Sequence, residues 1–172
     1  MTATPPPPVS WESPALVEGP APGVEFAPHG GRLVAYIIDT IILSIGFIVL
    51  FLVASPLILN GATTTASGRI TSLPASASLG FLILFIGFVI ALLYFPFFWA
   101  RGGQTPGMRP FNLRVVRDRD GTSIGWGTAL LRLVGLWVAG AVFYIGFIWI
   151  FIDKRRRGWQ DLIAGTVVVK QP

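Results

Sequence analysis

The sequence contains no cysteine and a single histidine, His29. The first absence excludes disulfides, thiolate zinc sites and cysteine nucleophiles. Because His29 is the only histidine, no second imidazole is present to complete a histidine metal site. No nucleophile is paired with a base, and the glycine-rich run at 102–107 (GGQTPG) lacks the Lys-Ser/Thr ending of a phosphate loop. The sequence therefore predicts no metal, no cofactor and no enzyme.

Charged residues are also scarce. They make up 12% of the chain, about half of the fraction in a typical soluble domain. Hydrophobic residues make up 53%, and the mean hydropathy is +0.70. The net charge is +5, but the basic residues flank apolar runs instead of covering one face. This pattern favours contact with anionic lipid headgroups, and we expect no nucleic acid partner.

Residues 1–28 contain no Lys or Arg. They carry the run Pro5–Pro8, four further prolines and three glutamates, with no periodic apolar pattern that a fold could bury. We interpret residues 1–28 as a disordered, proline-rich tail, followed by a membrane domain over 29–172. The tail either stays solvated or docks onto a proline-reading partner.

Three apolar stretches follow the tail. Residues 33–59 contain one charged side chain, Asp39, and residues 79–99 contain none. About 20 apolar residues are enough to span a bilayer. Both runs are therefore predicted to be transmembrane helices. The third stretch, 124–152, is apolar except for Arg132.

The distribution of Lys and Arg predicts the topology. The loop 100–123 and the C-terminal segment 153–172 hold five basic residues each, whereas the loop 60–78 holds one. Because basic residues near the ends of spans mark the cytoplasmic side, both flanks of the third stretch are placed in the cytoplasm. That stretch then enters the bilayer and returns as a re-entrant hairpin broken near Gly140. The alternative is an interfacial helix followed by a single span.

Two segments beside the third stretch have strand character, NLRVV at 112–116 and TVVVK at 166–170. A hairpin would let them pair as a small cytoplasmic sheet, whereas a single crossing would separate them. The predicted fold is thus an all-α membrane protein with two transmembrane helices, a third apolar helical segment and a small cytoplasmic β element. We expect a multi-pass plasma-membrane protein whose N-terminus, basic loop and C-terminus are cytoplasmic.

Asp39 and Arg132 are ionisable residues inside apolar segments. A carboxylate at the bilayer centre costs about 2.5 to 3.5 kcal/mol, so it should face protein or water. Arg32, Tyr36 and Asp39 share one face of the first helix. Since Asp39 and Arg132 are expected at similar depth, we predict an intramembrane ion pair between them, direct or bridged by water. In the alternatives, Arg132 snorkels to the headgroups, and Asp39 is a structural residue that holds helices together.

The C-terminal segment carries a basic and aromatic cluster, consisting of Lys154, Arg155, Arg156, Arg157 and Trp159. This composition is typical of contact with anionic lipid headgroups at a membrane edge. Asp161 follows directly, and we expect it to form a salt bridge because so many cations are near.

Three stretches together resemble a known family. They are GRLVAYIID at 31–39, GGQTPG followed by LRVV in the basic loop, and RRRGWQDLIAGTVVV at 155–169. In this order they resemble the RDD family of small, mainly bacterial membrane proteins, over about Gly31 to Val169.

That family is named after one arginine and two aspartates, which the resemblance assigns to Arg32, Asp39 and Asp161. Asp153 is the less favoured alternative for the last position. The chain departs from the family pattern at Met108, where relatives often have a basic residue. It also departs at Gln160, where many have histidine. A proton shuttle through that histidine is therefore not predicted for this chain.

The resemblance implies transport, since some members are similar to cation/proton antiporters. We therefore predict a transport or cation/proton exchange component with a polar pathway formed by Arg32, Asp39, Arg132 and Asp161. Three apolar stretches are few for enclosing a route, so we expect a homo-oligomer or a larger membrane complex. The alternative is an accessory or assembly subunit, in which the tail and the basic segments dock and the polar residues hold the helices together.

Overall fold

The body of the molecule is a pair of long helices. The computed structural model describes residues 24–142 and 149–171. Helix α1 is His29–Leu59 and helix α2 is Ala77–Gly102. They contain the first two predicted apolar runs and extend beyond them, which confirms both predictions of a helix.

α1 and α2 run antiparallel. The start of α2 at Gly80 lies against Ile58 near the end of α1. The hydroxyl of Tyr94, near the end of α2, reaches Asp39 near the start of α1. The beginning of α1 and the end of α2 therefore meet at one end of the molecule.

The connection between α1 and α2 is a small hairpin. Strand β2, Thr63–Thr64, pairs antiparallel with β3, Ile70–Ser72. The Thr63 hydroxyl shares hydrogen bonds of 2.7 Å with the hydroxyls of Thr71 and Ser72. The hydroxyl side chains thus bond to one another, and the two strands give this polar segment a fixed pairing.

Both long helices are long and apolar enough to cross a bilayer. At 1.5 Å per residue they measure about 46 and 39 Å, more than the hydrocarbon thickness of about 30 Å. Large apolar side chains point outward along them, and Ile45, Phe51, Phe85 and Ile90 are each more than half exposed. The outer surfaces of α1 and α2 are therefore available to lipid or to other helices.

A three-stranded antiparallel sheet lies at the end where α1 begins and α2 ends. Its order is β1–β5–β4, with β1 at Glu25–Phe26, β4 at Leu113–Arg117 and β5 at Thr166–Lys170. β4 and β5 pair along their whole length, with Val115 opposite Val168. This confirms the predicted pairing of the two strands that flank the third apolar stretch.

Residues 24–28, assigned above to a disordered tail, belong to the fold. β1 pairs with β5, and the fully buried Ala27 donates its N–H to the carbonyl of Val168 at 3.0 Å. The predicted boundary at residue 28 is therefore wrong by a few residues. The rest of the predicted tail, 1–23, lies outside the described residues.

The third apolar stretch is not one continuous helix over 124–152. It forms α3, Trp126–Ala141, then a 3-10 turn at Trp149–Phe151, and residues 143–148 between them lie outside the described part. α3 is about 24 Å long, short of a full span. Because β4 before it pairs with β5 after it, the stretch begins and ends at the same end of the molecule. Both ends of a hairpin lie at the same end of the molecule, whereas the two ends of a single span lie at opposite ends. The pairing of β4 with β5 therefore fits a hairpin and is incompatible with a single span.

The core lies between the sheet and the ends of the helices. One sheet face packs toward the helices in a buried cluster of Ala27, Ala35, Trp99, Met108, Leu113, Val115, Ile124, Ala129 and Val168. The opposite face, called the outer face below, carries Phe26, Val116, Val167 and Val169. A short helix, α4 (Trp159–Ala164), leads into β5 and packs on α3. The sheet thus positions the beginnings of α1, α3 and α4 close together.

Candidate functional site

Asp161 is the centre of a buried ion cluster. It lies in the first turn of α4 and is fully buried. Arg32 of α1 donates from Nη1 to Asp161 Oδ2 at 3.0 Å, and Arg132 of α3 donates from Nη1 to Oδ1. The N–H of Gly158, just before α4, donates to Oδ2 at 3.1 Å. One carboxylate therefore joins three helices that are far apart in the sequence.

The same cluster is tied to the sheet through β5. Arg32 Nη2 donates to the carbonyl of Val168 at 3.2 Å. Arg132 donates to the hydroxyl of Thr166, which in turn donates to Asp161 Oδ1 at 3.3 Å. Each charged member is thus hydrogen-bonded to a group on β5, and β5 carries the register of the whole sheet.

The Arg132 guanidinium also lies against the ring of Trp99. Its central carbon is 4.7 Å from the ring centroid, a cation–π distance that contributes about 2 kcal/mol when the pair is desolvated. Arg132 is fully buried, so the alternative that it snorkels to the headgroups is wrong. Trp99, the last residue of the second predicted apolar run, is fully buried as well. The end of α2 therefore closes one side of the cluster.

The cluster keeps Asp161 ionised. Burial alone would raise the pKa of Asp161, because it penalises the charged form. The guanidiniums of Arg132 and Arg32 and the Gly158 N–H outweigh burial and hold the pKa of Asp161 below its ordinary value. Two guanidiniums share this one carboxylate, so the cluster carries one net positive charge.

Asp39 occupies a second buried site, about 10 Å further along α1 than Arg32, and is only 1% exposed. Its Oδ1 accepts from the Tyr94 hydroxyl and the Gly107 N–H, both at 2.8 Å, and its Oδ2 accepts from the Thr105 hydroxyl at 2.5 Å. Among residues 24–142 and 149–171, no Lys, Arg or His lies within ion-pair distance of it. Within that part of the chain, the donors that hold this carboxylate are all neutral.

The loop after α2 carries two of the three donors to Asp39, the Thr105 hydroxyl and the Gly107 N–H. Gly103 follows α2 in the left-handed conformation, at φ 70°, which glycine adopts without steric cost. Gly107 lies so close to α1 that a Cβ would be 2.3 Å from the carbonyl oxygen of Ala35 and 2.8 Å from Asp39 Cγ. Only glycine fits there. The run GGQTPG at 102–107, which lacks the ending of a phosphate loop, thus holds Asp39 through Thr105 and Gly107.

A groove between α1 and α2 begins beside Asp39. It has a volume of about 510 Å³ and is lined by Thr40, Leu43, Ser44, Phe47, Ile48 and Ala91. Thr40 directly follows Asp39, and Ser44 lies one turn further on the same face of α1. Two hydroxyl side chains therefore line an otherwise apolar groove, and that of Thr40 donates to the carbonyl of Tyr36 at 2.8 Å.

The predicted ion pair between Asp39 and Arg132 is wrong. Arg132 pairs with Asp161, and Asp39 binds neutral donors. The salt bridge expected for Asp161 is present, but its partners are Arg32 and Arg132 instead of the neighbouring cations of the C-terminal segment. The four predicted pathway residues therefore form two sites. Similar depth suggested the wrong pair because depth does not fix which faces of two helices meet.

Several residues of the two sites were missed in the sequence, namely Tyr94, Thr105, Gly107 and Thr166. Thr105 and Gly107 lie in the glycine-rich motif that carries the family resemblance, which was the available signal. Tyr94 stands in an aromatic run and Thr166 in a strand. Nothing in the sequence distinguished them from ordinary members of those elements.

The basic C-terminal segment folds back toward the sheet. Asp118 Oδ2 accepts from Arg155 at 2.9 Å and from Arg157 at 3.2 Å, and Arg157 also binds Asp153 at 3.0 Å. The hydrogen bonds from Arg157 hold the pKa of Asp153 below its ordinary value, against the opposing effect of burial. Two of the predicted lipid contacts are therefore engaged in ion pairs with protein carboxylates.

The other members of the cluster differ in exposure. Arg156 donates to the carbonyl of Phe26 at 3.3 Å. Lys154 is exposed and Trp159 is half-buried. The exposed members leave room for lipid, so headgroup contact by this segment stays a prediction.

The model of the RDD family matches residues 26–165, which include the charged residues of both buried sites, Arg32, Asp39, Arg132 and Asp161. The chain belongs to the RDD family. YxaI of Bacillus subtilis (strain 168), described as an uncharacterized protein, is 33% identical over 142 residues, covering 80% of this chain and 93% of that protein. No solved structure matches.

Membership of the RDD family confirms the resemblance drawn from the three sequence stretches. Arg32, Asp39 and Asp161, assigned from that resemblance, are all buried. The two departures are buried too. Met108 belongs to the core, and Gln160 packs so closely on α3 that a Cβ at Gly135 would lie 2.7 Å from its Cα.

Proposed function

We propose that this RDD protein is a multi-pass plasma-membrane protein whose helices α1 and α2 span the bilayer. Both helices exceed the hydrocarbon thickness, and large apolar side chains face outward along their length. A soluble monomer rarely exposes an apolar surface of this extent. Lipid is the environment that would cover it.

The proposed orientation places the sheet end in the cytoplasm. The loop 100–123 and the segment 153–172 at that end hold five basic residues each, whereas the β2–β3 hairpin at the opposite end holds only Arg69. This asymmetry follows the positive-inside pattern. α3 would enter from the cytoplasmic side and return, in agreement with the pairing of β4 and β5 on either side of it.

The absence of cysteine makes this orientation simple to test. Arg69→Cys and Lys154→Cys each introduce one thiol at an exposed position. In intact cells, a membrane-impermeant thiol reagent should label Arg69→Cys and leave Lys154→Cys unlabelled until the membrane is permeabilised. Labelling of Lys154→Cys in intact cells would refute the orientation.

For its activity, we propose a transport or cation/proton exchange component in which Asp39 takes up and releases the proton or the cation. One observation carries this assignment. Among the described residues, Asp39 is buried inside a long apolar helix and is held by neutral donors without a counter-charge. Intramembrane carboxylates that face the interior of a helix bundle commonly mark ion pathways.

In this proposal the Arg32–Arg132–Asp161 cluster positions the helices and does not carry the ion. Its carboxylate is shared by two guanidiniums, so releasing it would leave two buried cations without a counter-charge. Two spanning helices cannot enclose a route by themselves, so the active form would be a homo-oligomer or a complex with another membrane protein.

The test is ion flux into proteoliposomes that contain only this protein. Asp39→Asn should abolish pH-dependent cation flux, because the amide cannot exchange a proton. Asp120→Asn is the control, since Asp120 is an exposed carboxylate in the turn after β4. Flux that persists in Asp39→Asn, or that falls equally in both variants, would contradict the assignment.

A second variant keeps the assignment testable if Asp39→Asn does not fold. Tyr94→Phe preserves the ring and removes one hydrogen bond to the carboxylate. Flux should remain but change in rate, because the carboxylate keeps its charge and loses one of its three donors. Flux equal to that of the native sequence would contradict a role for this carboxylate in the route.

The second candidate is an accessory or assembly subunit. The observation that favours it is the exposed apolar surface of both long helices, which fits partner helices as well as lipid. In that case the purified protein would give no flux, and it would co-purify with a larger membrane complex under mild detergent.

A further inference from the structure

The atoms that contact Asp39 indicate which ion this carboxylate can hold. They are the hydroxyls of Tyr94 and Thr105 and the N–H of Gly107, and each directs a hydrogen at a carboxylate oxygen. A backbone N–H can only donate, whereas a metal cation needs several oxygen ligands that direct lone pairs at it. Among the described residues, no three His, Asp or Glu side chains lie together where they could hold a metal ion. Within this part of the chain, the Asp39 site therefore lacks the ligands that a metal cation requires.

The same contacts suit a proton. Two of the three donors are hydroxyls, and a hydroxyl can accept a hydrogen bond as well as donate one. When Asp39 is protonated, a hydroxyl that faces it can turn and accept, so the neutral carboxyl keeps partners inside the protein. The other titratable groups on this face of α1 are Tyr36 and Arg32, about one and two turns from Asp39. Both protonation states of Asp39 are thus accommodated by the residues that already contact it.

Tyr94 forms the side from which Asp39 can be reached. Thr105 is fully buried and Gly107 is buried against α1, whereas Tyr94 is half-buried. A proton can pass along the hydrogen bond between Tyr94 and Asp39, but a metal cation would have to displace the ring. Arg109, an exposed cation one turn after Thr105, acts electrostatically on the Tyr94 hydroxyl and opposes the approach of another cation. The entrance therefore favours a proton for the same reason as the site does.

We infer that Asp39 binds a proton and not a metal cation, and that the Tyr94 hydroxyl passes this proton between Asp39 and the water at the sheet end. The inference rests on the proposed exchange and names the species that this carboxylate carries. On uptake, the Tyr94 O–H bond breaks as its proton moves to Asp39 Oδ1, and the Tyr94 oxygen takes a proton from a hydronium ion. Both side chains end neutral, and release reverses these steps. A metal cation exchanged by the active form would bind elsewhere in the assembly.

Infrared spectroscopy of the full-length protein in liposomes tests the inference independently of flux. A protonated carboxyl group gives a carbonyl band that a carboxylate lacks. The Asp39 band should appear on acidification and be absent from Asp39→Asn. At constant pH, sodium or potassium chloride should leave its intensity the same as an equal concentration of choline chloride does, because the metal cation does not compete for Asp39. Saturable loss of the band with the metal cation, or no Asp39 band at any pH at which the protein stays folded, would overturn the inference.

Tyr94→Phe identifies the Asp39 band if Asp39→Asn does not fold. The variant keeps the ring and removes one hydrogen bond to the carboxyl, so the band should move to higher frequency. After a jump to lower pH the band should also appear about a hundredfold more slowly, since no hydroxyl passes the proton. An unchanged rate would overturn the route through Tyr94.

The flux measurement separates this inference from the proposed exchange. A band that sodium or potassium removes, in a protein that shows flux, would overturn the inference alone. A band that these cations leave unchanged, in a protein without flux, would support proton binding at Asp39 and refute the exchange.

Discussion

Replacing Asp161 by Asn tests the central claim about how the fold is held together. Asn has the same shape and can still accept hydrogen bonds, but it carries no charge. The substitution leaves Arg32 and Arg132 buried beside each other without the carboxylate that both now share. It also weakens the contact with the Gly158 N–H at the start of α4.

The expected loss is large because the whole cluster is buried. Removing one partner of a buried ion pair costs about 3 to 5 kcal/mol, since the remaining charge is left uncompensated. Here two guanidiniums lose their counter-charge, so the upper half of that range is expected. For a domain of this size, about 2 to 4 °C per kcal/mol gives a decrease in Tm of roughly 8 to 20 °C.

The assay is thermal unfolding in a mild detergent, followed by helical circular dichroism. Asp153→Asn is the matched control, because its partner Arg157 is partly exposed and such pairs contribute about 1 kcal/mol or less. Adding Arg132→Gln to Asp161→Asn should recover part of the loss by removing one unpaired cation. If Asp161→Asn lowered the Tm no more than the control does, the cluster would not be the structural junction described here.

Two further predictions concern the loop clamp and acid sensitivity. Gly107→Ala would place its Cβ 2.3 Å from the Ala35 oxygen, and we expect it to cost about 1 to 3 kcal/mol in thermal unfolding. Gly102→Ala, whose Cβ would meet nothing within 4 Å, should change the Tm by no more than a surface substitution does. The pKa of Asp161 is lowered from 3.8, so its stabilisation is complete at neutral pH and is lost as the pH falls below 3.8 through the folded-state pKa. Unfolding followed below about pH 5 should therefore show a steeper loss for the native sequence than for Asp161→Asn, and parallel curves would contradict it.

The long-range organisation could be predicted from the sequence where one simple pattern decided it. The apolar runs predicted α1 and α2 because twenty consecutive apolar residues have few alternatives. The pairing of β4 with β5 was predicted from two basic flanks and two valine-rich segments. Both inferences rest on averages over many residues, and such averages tolerate errors at single positions.

The partners of single polar residues could not be predicted in the same way. Asp39 and Arg132 were expected at equal depth, but the rotation of α3 about its axis and the position of α4 decide which carboxylate faces Arg132. Those are set by packing, for example by the close approach of Gly135 to Gln160. Thr105 and Gly107 reach Asp39 through a loop whose path depends on one left-handed residue, Gly103. No periodicity in the sequence reports such a path.

Protonation of the two buried aspartates of this RDD protein would have different consequences for their ion pairs. A proton on Asp161 would remove the counter-charge of two guanidiniums at the junction of α1, α3 and α4. A proton on Asp39 would break no ion pair among the described residues, since its three donors are a phenol, a hydroxyl and an N–H. Paired titratable groups in contrasting environments commonly divide their roles in this way. A residue that changes charge repeatedly must do so without breaking the ion pairs that hold its surroundings together. A carboxylate with neutral donors meets this requirement, and one that is shared by two guanidiniums does not. The proposed exchange is therefore assigned to Asp39 and the structural role to Asp161.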